Sequence, residues 1–128
     1  MSEVSRKIKT FIAKRASYRC EYCLSLSAYA PDPFCIEHII PLSKGGSGME
    51  DNLAFSCSGC NNYKYTHTDA TDPLTGQITP LFHPRIDSWK EHFAWSKDAA
   101  SIAGITPKGR ATVVRLKLNR QPLQNQRR

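Results

Sequence analysis

Four of the five cysteines form two identical C-x-x-C pairs, Cys20/Cys23 and Cys57/Cys60. Cysteines at this spacing turn two thiolates toward one point, and two such turns complete the tetrahedral sulfur shell that Zn²⁺ prefers. A redox-active pair or buried free thiols are the alternatives, but a redox motif does not normally occur twice at matched spacing. The pairs therefore predict a structural zinc site with four cysteine ligands. Cys35 is unpaired and is predicted to be a small buried residue.

Thirty-three residues separate the two cysteine pairs, and a second set of chemical groups lies in this insert and just behind it. Glu37 is a hard oxygen ligand suited to Mg²⁺ or Mn²⁺, and Asn61 offers a neutral amide oxygen. Such a pair leaves most of an octahedral shell open for water and phosphate, as phosphoryl chemistry requires. A neutral His38 could take a proton from an attacking water. Because adjacent strand residues point to opposite faces, Glu37 and His38 share a site only if the strand bends or ends there.

Each of these residues also fits an ordinary structural role. Taken singly, Glu37 fits a surface carboxylate and His38 fits a satisfied, partly buried histidine. Asn52 and Asn61 fit turn residues or helix caps. Their association with the two cysteine pairs favours a functional site instead.

Short elements are predicted to position these groups. Residues 3–16 are predicted to form an amphipathic helix, because apolar side chains share one helix face and Lys and Arg fill the other. β-rich runs predict strands at 34–40, ended by Pro41, and at 53–55, with a Gly-rich turn between them. A short helix is predicted over 59–67.

The C-terminal half carries no comparable cluster of chemical groups. Turn signals predict a hairpin-like excursion over 69–84. Residues 112–118 fit either a strand or a helix, and the polar, basic residues 119–128 are predicted to fray. Three aromatic residues are predicted to anchor the core of this half: Trp89, Phe93 and Trp95.

The stretch from Arg19 to Lys64 resembles the HNH endonuclease family. The matching motifs occur in order as R-C-E-Y-C, E-H-I-I-P-L-S-K-G-G and D-N-L-A-F-S-C-S-G-C-N-N-Y-K. The resemblance implies an α+β fold built on the ββα-metal finger, two strands and a helix around one divalent metal, stapled by the four-cysteine zinc site. The amphipathic helix predicted from the apolar pattern precedes this finger, and a C-terminal extension follows it.

The resemblance also assigns roles to the residues of the insert. It implies that His38 is the general base and that Glu37 and Asn61 bind the catalytic metal. It implies that Asn52 holds the loop and helps to orient the base. Glu37 stands where the family more commonly has Asp, and His67 is an alternative to Asn61 as the final ligand, although Asn61 fits the spacing better.

The C-terminal part, through motifs such as D-P-L-T-G and W-K-E-H-F, resembles an extension found in some HNH proteins. This resemblance favours a helix over 110–118. We expect one domain over residues 1–128. Its expected parts are an N-terminal helix at 1–18, a zinc-stapled core at 19–68, the extension at 69–118 and a basic tail at 119–128.

Charge is distributed unevenly along this chain of net charge +7. Residues 1–23 carry +4 and residues 108–128 carry +7, whereas the middle carries −4. Basic flanks suit binding to a phosphate backbone, although solubility and a disordered tail explain the charge equally well. With the resemblance, we expect duplex DNA as the partner, bound with weak sequence preference. Three cations are candidate phosphate contacts: Lys44, Lys64 and Arg85.

No apolar run approaches the ~20 residues that cross a bilayer, and the first residues lack the uninterrupted apolar segment of a signal peptide. These features argue against a membrane protein and favour the cytoplasm.

The combined expectation is a metal-dependent endonuclease with structural Zn²⁺ and catalytic Mg²⁺ or Mn²⁺. One finger carries one active site, so a monomer would nick one strand, and cleavage of both strands would require a homodimer or two visits. Two alternatives are a catalytically silent zinc module that binds nucleic acid and a nuclease subunit that depends on a partner.

Overall fold

The computed structural model describes residues 5–128, which divide into two compact units. The first unit ends at Asn62 and the second spans Tyr63–Arg128. The start of the predicted 3–16 helix, residues 3 and 4, lies outside the described residues. The expectation of a single domain over the whole chain stays a prediction.

The first unit contains the predicted strand, strand and helix in the predicted order. Helix α1 (Arg6–Arg15) precedes two antiparallel strands, β1 (Cys35–His38) and β2 (Leu53–Ser56). Helix α2 (Ser58–Lys64) follows β2 directly and runs to the start of the second unit. Three short 3₁₀ turns lie between these elements, at Ser27–Tyr29, Leu42–Lys44 and Glu50–Asn52.

The core of the first unit lies between α1 and the strand pair. Ile12 of α1 is fully buried and clusters with Leu53 and Phe55 of β2. Both ends of α1 are fixed by hydrogen bonds. The Ser5 side chain caps its start by accepting from the Ile8 N–H, and Arg15 at its end donates to the Leu53 carbonyl at 2.7 Å. The predicted amphipathic helix is thus confirmed over the described residues.

The second unit is built from two β-hairpins and three helices. The first hairpin confirms the predicted excursion at 69–84, and the second lies between α3 and α4. In chain order the elements are β3 (Asp69–Thr71), β4 (Ile78–Pro80), α3 (Trp89–His92), β5 (Phe93–Trp95), β6 (Ile102–Gly104), α4 (Pro107–Arg115) and α5 (Gln121–Arg127).

Two ion pairs fix α4 within the second unit. The Arg110 guanidinium bonds both oxygens of the fully buried Asp72 at 2.9 Å, and Lys108 lies 2.9 Å from an Asp87 oxygen. Arg110 also holds the pKa of the Asp72 carboxyl well below its usual range. Two basic residues near the chain end are therefore neutralised by carboxylates of the fold.

Three details of the second unit differ from the sequence-based expectations. The 110–118 segment is helical as favoured, but α4 ends at Arg115. Residues 119–128 do not fray throughout. Leu123 of α5 is buried, and Arg127 donates to the Leu118 carbonyl at 2.8 Å. Trp95 is not a core anchor, since it is 41% exposed, whereas Phe93 is buried.

The architecture is α+β, with helices and three small antiparallel strand pairs. Within the part of the chain that the structure describes, every helix is too short or too polar to cross a membrane.

Candidate metal sites and catalytic residues

The four paired cysteines converge in the first unit. Their sulfur atoms all lie within 4.8 Å of one another, and all four residues are buried. The Sγ atoms of Cys23 and Cys57 are 3.8 Å apart. Sulfurs placed ~2.3 Å from a tetrahedral zinc are separated by about 3.8 Å, so this arrangement fits a structural zinc site. The donor set fits as well, because four thiolates form a closed shell with no position for substrate.

The two cysteine pairs have the same local geometry. The Cys23 N–H approaches the Cys20 sulfur at 3.5 Å, and the Cys60 N–H approaches the Cys57 sulfur at 3.4 Å. After the first pair, the chain turns back through Leu24 in a left-handed conformation, at a φ of 63°. Each pair is therefore shaped by its own backbone so that both sulfurs face one point.

Packing four thiols together changes their acidity. Burial raises the pKa of the Cys20 thiol well above its usual value. A hydrogen bond from Cys20 lowers the pKa of Cys23 to about 7, and hydrogen bonds from the neighbouring thiols lower the pKa of Cys57 as well. Hydrogen bonds with the neighbouring thiols raise the pKa of Cys60 well above its usual value. Because zinc binds thiolates, its binding here would release the protons that these thiols hold.

Glu37 is a buried carboxylate of β1 rather than a surface one. Its side chain is 5% exposed, and it lies opposite Ala54 in the strand pair. The hydroxyl of Tyr22, a residue between the two cysteines of the first pair, donates a hydrogen bond to Glu37 Oε1. Burial, and then the charge of Glu37, raises the pKa of Tyr22 well above its usual value, so the hydroxyl keeps its proton.

His38 is the last residue of β1 and is half-buried. The strand ends there, which is the condition under which Glu37 and His38 can contribute to one site. The chain then leaves the strand through Ile39, whose N–H donates to the Asn52 carbonyl at 2.8 Å.

Asn52 fastens the loop that follows His38. Its side-chain oxygen accepts from the Ile40 N–H at 2.9 Å, and its amide donates to the carbonyls of Ile40 at 3.0 Å and Ser47 at 2.7 Å. Gly46 lies against the same point, where an added Cβ would overlap the Ile40 carbonyl oxygen. The buried Asn52 amide therefore serves as the internal brace of this loop.

Asn61 is half-buried on α2, next in sequence to the zinc-site residue Cys60. Its N–H donates to the Cys57 carbonyl at 3.0 Å, so its backbone is held by the second cysteine pair. His67, the alternative ligand, belongs to the second unit, where its Nε2 atom is 3.3 Å from an Arg115 guanidinium nitrogen.

The predicted phosphate contacts differ in their exposure. Lys44 is exposed and Arg85 is half-buried. Lys64, in the last turn of α2, is only 1% exposed, which disfavours the predicted phosphate contact. Helix α1 contains no acidic residue and presents four exposed cations: Arg6, Lys7, Lys9 and Lys14.

Basic and aromatic side chains also gather around the end of α4 in the second unit. The Lys117 ammonium lies 4.9 Å, and the Arg120 guanidinium 5.6 Å, from the centre of the Tyr63 ring. Cations at a helix C-terminus are stabilised by the helix dipole, so this cluster also has a structural explanation.

Comparison with protein-family models gave a match that covers the finger. Residues 20–67 match the family model described as HNH endonuclease. Searches of curated proteins and of solved structures gave no match. The matched segment begins at the first cysteine of the zinc site and contains both strands and the helix of the finger. Together with the ββα order and the convergent cysteines, the match shows that residues 20–67 are similar to the HNH endonuclease family.

Proposed function

We propose that this protein is a divalent-metal-dependent endonuclease that nicks DNA, with His38 as its general base. The observation that carries the proposal is the combination found in the family-matched finger. The buried Glu37 carboxylate and His38 end strand β1, and Asn61 follows the clustered cysteines on helix α2. The Asn52 amide braces the loop after His38.

The donor set suits the proposed catalytic metal. Glu37 would supply a carboxylate oxygen and Asn61 an amide oxygen, which are the hard ligands that Mg²⁺ and Mn²⁺ prefer. When bound, such an ion supplies Lewis-acid stabilisation of the charge on the scissile phosphate and the leaving oxygen. Neither residue need change its protonation during the reaction.

His38 would act on the attacking water. Its imidazole would accept the water proton as the oxygen attacks phosphorus. The bond between phosphorus and the 3′ oxygen would break, and the 3′ oxygen would take a proton from solvent water. By the family resemblance, the products carry 5′-phosphate and 3′-hydroxyl ends. Asn52 supports this step indirectly, because it holds the Ile39–Ile40 backbone that immediately follows His38. The loop brace thereby limits the orientations of the histidine.

The DNA would be held through its phosphates. The exposed cations of α1 and Lys44 belong to the same unit as the finger, and Arg85 and the cations around Tyr63 provide further basic surface in the second unit. Contacts to phosphate carry little sequence information, so binding should be salt-dependent and weakly sequence-specific. One finger per chain then produces nicks rather than double-strand breaks.

The test is nicking of a supercoiled plasmid at low salt with Mg²⁺, Mn²⁺ or EDTA. His38→Ala should lose about 10²–10⁴-fold in nicking rate, the usual contribution of a general base, and should still bind DNA. His83→Ala is the matched control, since it removes a half-buried histidine outside the family-matched segment. His67→Ala tests the alternative ligand. Equal nicking by wild type and His38→Ala would disprove the assignment of the base.

Two further results of this test decide between alternatives. Loss of nicking in His67→Ala, with His38→Ala active, would move the chemistry to His67. DNA binding without nicking by the wild type would favour the non-catalytic nucleic-acid-binding module or a nuclease subunit that needs its partner. The exposed cations of α1 would bind nucleic acid in either of these two functions.

A further inference from the structure

We propose that Tyr22 is a positioning residue of the nuclease site, which holds Glu37 in place for the catalytic metal. The inference rests on the function proposed above. It gives the cysteine knuckle Cys20–Cys23 a role in catalysis. As part of the zinc site alone, this knuckle would have only a structural role.

The knuckle is attached to the finger at more points than its zinc ligands. The backbone N–H of Glu21 donates to the Phe55 carbonyl at 2.9 Å, and the Glu21 carboxylate accepts from the Phe55 N–H at 2.8 Å. These two bonds fix the knuckle against β2. The next residue, Tyr22, reaches β1 through its hydrogen bond to Glu37 Oε1. Each residue of the C-E-Y-C motif therefore has a definite contact.

Because Tyr22 and Glu37 are buried, the hydrogen bond between them can hold the Glu37 side chain in one orientation. The two side chains are 1% and 5% exposed, so water competes little for the hydrogen bond. A donor on one carboxylate oxygen restricts the rotation of the Glu37 side chain and directs its ligand geometry. Glu37 is also one methylene longer than an aspartate and has an additional torsion to restrain. Tyr22 supplies that restraint from the zinc knuckle.

This arrangement connects the two metal sites through one residue. Cys20 and Cys23, which would hold the zinc, fix the backbone of Tyr22, and the Tyr22 hydroxyl orients Glu37. Partners that orient a metal ligand typically change metal affinity by about 10–100-fold when they are removed. We therefore expect Tyr22→Phe to weaken Mn²⁺ binding by about 10–100-fold while leaving the zinc content unchanged.

The measurement is an Mn²⁺ titration of the zinc-loaded protein, followed by electron paramagnetic resonance of free Mn²⁺, which needs no nuclease activity. Tyr22→Phe removes one hydroxyl and keeps the ring. Tyr18→Phe is the matched control, because Tyr18 is 50% exposed and lies four residues away in sequence. Glu37→Gln tests the ligand itself. A normal Mn²⁺ affinity in Glu37→Gln would overturn the ligand assignment and hence the proposed site.

A second measurement separates positioning from general support of the fold. In a Glu37→Asp background the shorter carboxylate no longer reaches the same position, so adding Tyr22→Phe should cost little further Mn²⁺ affinity. If Tyr22→Phe lowers Mn²⁺ affinity equally in the wild-type and Glu37→Asp backgrounds, the positioning role is refuted while the proposed metal site stands. The same conclusion follows if Tyr22→Phe keeps wild-type Mn²⁺ affinity and Glu37→Gln loses it. Loss of zinc from Tyr22→Phe with zinc retained by Tyr18→Phe would also refute the positioning role, because Tyr22 would then maintain the knuckle itself.

Discussion

At the scale of single residues, the loop after His38 depends on one amide. Asn52 both accepts from and donates to Ile40 and also donates to the Ser47 carbonyl. Only an amide side chain combines an acceptor with two donors in this geometry, and a carboxylate would face two carbonyls without a proton to donate. The requirement for Asn at this position is therefore chemical, and it stands independently of the proposed catalytic role.

Gly46 offers a test of this brace without altering any polar group. Gly46→Ala should lower the free energy of unfolding by about 1–3 kcal/mol, the usual cost of overpacking. The physical reason is that its Cβ would overlap the Ile40 carbonyl oxygen and lie 2.9 Å from the Asn52 amide nitrogen. Gly48→Ala is the control, since nothing lies within 4 Å of its added Cβ. Urea unfolding measures both variants. Equal stability of the two would show that the loop does not pack as described.

At the scale of elements, the finger is small, and zinc held by the four clustered cysteines would stabilise it. Strands β1 and β2 are four residues each, and a two-stranded pair of this length is marginally stable by itself. Its α1-facing side is covered by an apolar core, and the cysteine knuckles fasten the chain before β1 to the chain after β2. The cysteines therefore replace apolar packing that so short a segment cannot provide.

Two serine substitutions test this structural role. Cys57→Ser should lose the bound zinc, about one ion per chain, and should lower the unfolding free energy by well over the ~1 kcal/mol of an average substitution, because zinc binding and folding are coupled. Cys35→Ser is the matched control, as this half-buried cysteine of β1 is not among the clustered four. Metal analysis and thermal unfolding give both readouts. Zinc retained by Cys57→Ser would contradict a site built from four cysteine ligands.

At the scale of the whole molecule, some basic side chains are bonded within the fold and others are exposed. Lys108 and Arg110 are paired with carboxylates, and Arg127 donates to backbone carbonyls of Ala100 and Leu118. The strongly basic end of the chain is thus partly used to build the second unit. The exposed cations of α1, in contrast, lie on a helix without acidic residues.

This distribution predicts unequal contributions to DNA binding. The double variant Lys7→Glu/Lys9→Glu should weaken binding at low salt and reduce the slope of log K against log salt by up to about 2, since each lost phosphate contact removes ~0.9. Lys90→Glu/Lys97→Glu makes the same charge change at exposed positions of the second unit and should have a smaller effect. Fluorescence anisotropy over a salt series measures both. Equal effects would indicate that α1 is not a specific DNA-binding surface.

The features of this protein that follow from the sequence are local ones. The C-x-x-C spacing, the strand that ends before Pro41, the amphipathic helix and the turn signals at 69–84 each depend on residues within a few positions of one another. Backbone sterics act at that range, so the order of strands and helix could be predicted. The convergence of the two cysteine pairs spans 34 positions, and it could be predicted only because each pair supplies half of a four-ligand zinc shell.

The remaining features were decided by the tertiary structure, because they depend on segments distant in sequence. Tyr22 meets Glu37 across 15 positions, and Arg110 meets Asp72 across 38. Nothing local distinguishes Lys64, which is buried, from Lys44, which is exposed. A long-range contact is selected by the packing of the whole unit, where burial makes each polar partner necessary. The sequence alone determined which chemical groups the finger carries, and only the packed structure determined which of them are braced, neutralised or exposed.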